Sequence, residues 1–400
     1  MLARRLGPVK PLPPAIFLLG ALLASGAAAQ VADPETALRE LRRQESAPHP
    51  RSEPEESFRL TEIGREYLRR EDIPRAIELL SEAAARDSEN RSALIHLTLA
   101  YLRHGDLEFA EFYFSQSLQQ EPSRGEDAET YLRLGDIYEQ LNRLPEAIAA
   151  WQEVRRLGDK TPGLAAKLER SKVSWAYSHG QRFFGGELFD LYYDPEISAE
   201  TAELADSFLE KEWLTQATFF GAQLPGHPIV ILYAGRRYFH LLDTPDWVGG
   251  YYDGRIHVPI DSGSPLGEAT FGLLRHELAH AYLHRLSRGR APAWLQEGLA
   301  QYVEGRRTDR RELQRIGARP GGFLESSTDA FHQRTDRDHA RRAYALALSF
   351  VEFLARRGGP ESAVCLAYSL GAGKTIDAAC EESFGEPLSG LERQWIASLG

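Results

Sequence analysis

"HELAHAYLHRLSRGRAPAWLQEGLAQYVE", residues 276–304, decides how the C-terminal half of this 400-residue chain is read. The segment that carries its start, "FGLLRHELAHAYLHRL", has no Gly or Pro after Gly272, and Leu274, Leu278, Ala281 and Leu286 recur at helical spacing. As a helix it sets His276 and His280 one turn apart on one face, with Cβ atoms roughly 5–6 Å apart. Two imidazoles so placed can bind one zinc ion. Glu277, one position round the helix, can reach a water at that ion without being a ligand, as a general base must. The plain alternative is a helix with two surface histidines, since a chain with 12 histidines meets H-E-x-x-H by accident often enough. A third ligand decides. "LSRGRAP" (286–292) reads as a turn, and Pro292 opens a second helix that folds back on the first. That brings in Glu297, with sixteen residues between it and His280. His276, His280 and Glu297 then form a two-His, one-Glu site for Zn2+ with room for water.

"HELAH" followed by "WLQEGLAQYVE" resembles the gluzincin metallopeptidases, and most closely the aminopeptidase N family, whose second motif reads W-L-N-E-G-F-A-x-Y-x-E. Trp294, Leu295, Glu297, Gly298, Ala300, Tyr302 and Glu304 all match it. The loop between the two motifs is slightly shorter than that family's. The resemblance implies His276, His280 and Glu297 as zinc ligands and Glu277 as base. "AYALALSFVEFL" (343–354) resembles the helix that carries the family's transition-state-stabilising tyrosine, which implies Tyr344 as a phenol donor to a developing oxyanion. A tyrosine simply packed between helices is the other reading. One departure is informative. That family holds a substrate's free amine through a G-x-M-E-N strand, and Met1 is the only methionine here. An endopeptidase-like or unassigned hydrolase is therefore expected rather than an aminopeptidase. "WVGGYYDGRIHVPI" (247–260) lies where that motif would be, and its backbone can pair with an extended peptide by strand addition.

The rest of the chain supplies the setting. Arg4, Arg5 and Lys10, the apolar run "AIFLLGALLA" (15–24) and small residues up to Ala29 read as a signal peptide over 1–29. The protein is thus expected to be exported, to a periplasm or beyond, with no stable membrane insertion after cleavage. Residues 30–56, broken by Pro34, Pro48, Pro50 and Pro54, read as a linker. From residue 57 the chain repeats itself. Tyr67 and Ala76 recur 34 residues later as Tyr101 and Ala110, and 37 residues after that as Tyr138 and Ala147. This period resembles the tetratricopeptide repeat, which implies three stacked helical hairpins able to hold a protein partner. "PGLAAKLERSKVSWAY" (162–177) closes them, so the repeats span 57–178. From 179 to 400 a strand-like "ELFDLYYD", a long helix, "HPIVILYAG", a hairpin turning at Asp253-Gly254, and then helices describe an α+β domain.

Net charge is −11, and loss of the three basic leader residues lowers it to −14, which argues against nucleic acid or anionic lipid as the main partner. "GAGKT" (371–375) lacks the first glycine of a phosphate loop, since Tyr368 stands there, and reads as a helix–helix turn. Ten arginines between 306 and 342, among them Arg306, Arg337 and Arg341, read as a solvated surface, with recognition of substrate carboxylates near the cleft as the minority alternative. His227, His240, His257, His284 and His332 have no ligand spacing. Cys365 and Cys380 either pair or remain free thiols.

The expected fold is a tetratricopeptide-type α-helical solenoid followed by an α+β, zincin-like metallopeptidase domain. The expected function is an exported zinc metallopeptidase acting on a protein or peptide substrate. A non-catalytic envelope scaffold built on the repeats, or a metal-dependent amidase acting on a cell-wall cross-link, are the alternatives.

Overall fold

A computed structural model describes residues 33–45, 53–120, 124–224, 227–261, 266–309, 311, 313 and 337–399. The signal-peptide reading, His332 and most of the arginine-rich stretch lie outside the described residues. The chain divides into two compact units, 1–123 and 124–400. The expected domain boundary at residue 178 falls inside the second.

The first unit contains α1 (Pro34–Glu45), α2 (Glu53–Arg69), α3 (Ile73–Arg86), α4 (Arg91–His104) and α5 (Leu107–Ser117). Asp72, Asn90 and Asp106 cap three of these helices by accepting from the backbone N–H of Arg75, Ala93 and Phe109, which satisfies donors the helix itself cannot. Gly105 ends α4 in the left-handed conformation. Sequence neighbours pack on one another, α2 on α3, α3 on α4 and α4 on α5.

The second unit opens with α6 (Arg124–Gln140), α7 (Leu144–Arg156) and α8 (Leu164–Ser178). Ala76, Ala110 and Ala147 each occupy the fourth position of the second helix of a pair, and each is fully buried. Next come β1 (Arg182–Gly185), β2 (Asp190–Tyr193), α9 (Ala199–Phe220), β3 (Ile229–Ala234), α10 (Arg237–Leu241), β4 (Tyr251–Tyr252) and β5 (Ile256–Ile260). The chain ends in α11 (Glu268–Ser287), α12 (Ala293–Glu304), α13 (Arg337–Gly358), α14 (Ser362–Gly371), α15 (Ile376–Phe384) and α16 (Leu388–Leu399). The described part is mostly helical with one small mixed sheet. Among the described residues no helix is long and apolar enough to cross a membrane.

The sheet runs β1-β2-β3-β5-β4, with β3 parallel to both neighbours and the outer strands antiparallel. β3 is buried on both faces, which is why its sequence is an unbroken apolar run. Val230 and Leu232 join a core shared with Leu274 and Leu278 of α11, whereas Ile231 and Tyr233 pack with Tyr238 and Phe239 on the opposite face. β1 has no counterpart in the sequence reading. It is short, mostly exposed and ends in glycine, so it carries no apolar alternation to detect.

The β4–β5 hairpin is seated on the helical pair α6–α7. Arg255, almost wholly buried, reaches Asn142 in the α6–α7 turn at 3.0 Å and Asp253 at 2.9 Å. Asp253 also accepts from His257 Nε2 at 3.0 Å, and His257 Nδ1 lies 2.9 Å from the Tyr233 hydroxyl. His257 is thereby accounted for as a structural residue. Burial opposes charge on Asp253, but Arg255 and His257 beside it hold its carboxyl well below the usual range. On α8, the Ser174 hydroxyl meets Tyr238 at 2.6 Å, and Tyr238 meets Tyr251 of β4 at 3.2 Å. "GAGKT" is the turn between α14 and α15, with Thr375 capping the latter. Both thiols are free, Cys365 exposed and Cys380 buried.

Candidate metal centre and cleft

α11 is a helix buried on most of its faces, so the polar residues it carries inward need partners there. Arg288 and Gly289, both at positive φ, end it and turn the chain. Pro292 then sits in extended conformation immediately before α12, which packs back against α11 as the turn reading requires. Trp294, fully buried and edge-to-face with Phe350 at 5.0 Å, anchors α12 to α13.

This hairpin brings His276, His280 and Glu297 together, one donor atom from each within 4.8 Å of the others. The two Nε2 atoms are 3.2 Å apart, and Glu297 Oε2 lies 3.5 Å from His276 Nε2 and 3.7 Å from His280 Nε2. Ligand atoms around a tetrahedral zinc stand roughly 3.3–3.6 Å from one another, so the three edges fit that ion. Glu297 Oε2 is also buried with no hydrogen-bond partner, a costly arrangement unless a cation satisfies it. Burial disfavours ionised Glu297, yet the two imidazoles hold it well below the usual carboxylate range. Burial likewise opposes charge on His276, but the carboxylates of Glu297 and Glu304 push it up to about 10.

Glu304 is a candidate site residue that the motif match contained and the sequence reading left without a role. It stands seven residues after Glu297, two turns along the same face of α12. Its Oε2 accepts from His276 Nδ1 at 3.1 Å, which leaves the Nε2 lone pair for a metal. Arg306 balances it at 2.9 Å.

Two close backbone approaches shape the rest. Any Cβ at Gly298 would lie 2.6 Å from the Ala347 carbonyl oxygen, so glycine lets α13 touch α12. Tyr344, one turn before Ala347, thereby lines the same cleft as Glu297, and its carbonyl accepts from Gln301 at 3.0 Å. The nearby Glu297 carboxylate, then burial, keep the Tyr344 phenol protonated well above its ordinary range. At Gly250 a Cβ would lie 2.9 Å from Glu277 Oε1. The chain entering β4 therefore passes directly beside the Glu277 carboxyl. Glu277 Oε2 is buried without a partner, and burial raises the pKa of the group. All five residues singled out from the sequence line one cleft of about 1110 Å³, together with Gly249, Gly250, Tyr251 and Tyr252.

Residues 241–400 match the family described as Peptidase MA superfamily. This region is peptidase MA-like. Every candidate ligand, Glu277 and Tyr344 lie inside the matched segment, and the match points to metallopeptidase-type hydrolysis. No curated protein and no solved structure matches the chain.

Proposed function

We propose that the protein is an exported zinc metallopeptidase that hydrolyses peptide bonds, with its helical repeats holding a protein partner or part of the substrate. The observation that carries this reading is the convergence of His276, His280 and Glu297 beside the buried Glu277, whose Oε2 has no hydrogen-bond partner. The three ligands fit zinc in type, number and spacing. When bound, that ion supplies Lewis acidity, which polarises a carbonyl and acidifies water.

The chain's own groups supply the proton transfers. The Glu277 carboxyl, which lines the cleft, takes a proton from water as the water oxygen bonds to the peptide carbonyl carbon. The same carboxyl passes that proton to the amine as the C–N bond breaks. Its raised pKa suits it to hold the proton between the two steps. Tyr344, kept protonated, donates to the carbonyl oxygen as negative charge gathers there. Glu304 holds the His276 ring in the required orientation. β4, the terminal strand of the sheet, offers main-chain groups to an extended peptide.

Wild type and Glu277→Gln, each checked for equal zinc content, would be tested on denatured casein. Activity is expected to fall by about 10²–10⁴-fold in the variant. Equal activity would remove Glu277 from the mechanism.

A further inference from the structure

Three carboxylates belong to the metal centre and its immediate support. Apart from them, the charged residues lining the cleft, among the described residues, are Arg170, Arg306, Arg337, Arg341 and a single acid, Asp338. With Arg306 set against its partner Glu304, three arginines face one acid outside the candidate metal centre, on a chain whose net charge is −11. Arg306 is paired with Glu304, and Arg341 also has partners within the protein. Among the described residues, the exposed Arg170 and Arg337 side chains have no hydrogen-bond or ion-pair partner.

The two come from different walls. Arg337 begins α13, two turns before Tyr344. Arg170 belongs to α8, the helix read from sequence as merely closing the repeats. One turn on, the Ser174 hydroxyl bonds back to the Arg170 carbonyl at 3.0 Å and also meets Tyr238. From there the hydroxyl chain continues to Tyr251 on β4. Arg170 is therefore carried by a helix fixed to the strand along which a peptide would lie. Guanidinium groups match carboxylates in a planar, two-pronged fashion, so a pair of uncommitted ones facing a cleft is a recognition device for carboxylates.

We infer that the cleft selects peptides bearing carboxylates, with Arg170 and Arg337 as specificity-determining residues. The inference rests on the peptidase reading for where the peptide lies, but its test needs no turnover. Zinc-loaded, full-length Glu277→Gln protein would be titrated with three short dansyl-labelled peptides of one backbone sequence. One carries internal Asp and Glu with an amidated end, one carries Asn and Gln with an amidated end, and one is the Asn/Gln peptide with a free C-terminal carboxylate.

At least one carboxylate-bearing peptide is expected to bind about tenfold tighter than the neutral amide. Which one it is separates side-chain from C-terminal recognition. Arg170→Ala and Arg337→Ala should each erode that preference while leaving affinity for the neutral amide unchanged, and added salt should shrink it. Equal affinity for all three peptides overturns the inference, as does a preference that survives both substitutions. If the wild type cleaves nothing while binding stays selective, the peptidase reading falls and the inference stands. Cleavage without any carboxylate preference does the reverse.

Discussion

Arg255 reaches Asn142 across 3.0 Å, joining a β-hairpin to a helix–helix turn 113 residues earlier in the chain. The bond makes the α6–α7 pair part of what holds the edge strand of the cleft. Arg255→Ala leaves the Asp253 carboxylate buried without its cation and is expected to cost about 3–5 kcal/mol. Asn142→Ala, which takes the acceptor from a buried guanidinium and puts alanine at a positive φ, should cost about 2–3 kcal/mol. Urea denaturation midpoints of the three proteins check both values. A fragment starting at residue 179, which lacks α6–α8, should fail to give a cooperative transition.

The metal centre makes a prediction with a definite sign in pH. Without a metal, His276 holds its proton up to about pH 10, because Glu297 and Glu304 outweigh its burial. Zinc needs the neutral ring, so binding must expel that proton. Affinity should therefore rise by about tenfold per pH unit between pH 7 and 9. Competition against a chelator of known affinity measures it, and a flat profile would contradict the protonated state.

Removing ligands should act in graded fashion. His280→Ala is expected to abolish stoichiometric zinc, read by elemental analysis of protein dialysed against trace metal. Glu304→Gln keeps the ligands but loosens the His276 ring, and should weaken zinc binding by about 10–100-fold.

Tyr344→Phe deletes only the hydroxyl of a ring that lines the cleft, which the proposed mechanism uses as the oxyanion donor. Turnover should fall by about 10–100-fold with little change in KM or in zinc content. Loss of zinc or of fold in this variant would mean that the hydroxyl serves packing instead.

Asp206 offers a stability test remote from the metal. It is buried, its Oδ1 has no partner, and burial followed by the nearby Glu210 and Glu187 raises its pKa to about 6. The folded state thus binds this proton more tightly than the unfolded chain, whose ordinary value is 3.8. Stability from this group is complete below about pH 4 and lost as pH rises through about 6. Asp206→Asn should accordingly stabilise the protein at pH 7 by about 1–2 kcal/mol, a figure reduced for solvent screening, with the gain fading toward pH 4. Thermal melts across that range test the sign.

The cluster of His276, His280 and Glu297 was legible because its spacing is local. His276 and His280 are one helical turn apart, and a five-residue turn carries the chain to the helix bearing Glu297. Tyr344 was nameable only through resemblance, since nothing in its own segment shows that Gly298 lets α13 touch α12. Glu304 stood in a matched motif, yet its bond to His276 depends on how two helices are rotated. Arg170 was out of reach for a different reason. Its helix looks like the end of the repeats, and only the bonds from Ser174 and Asn142 bring that part of the chain to the sheet. β1 escaped because an exposed four-residue strand needs no apolar pattern.

The brevity of β4 has a consequence for solubility. A strand left open to receive a substrate is equally open to the sheet of another copy, and long bare edges of that kind lead to fibrils. Here the edge at β4 is two residues long, against four at the opposite edge, β1, and is bounded by Gly249-Gly250 on one side and the Asp253-Gly254 bend on the other. On the proposed reading, a single slender strand would pair there, whereas a broad sheet would find too few rungs to register at this border.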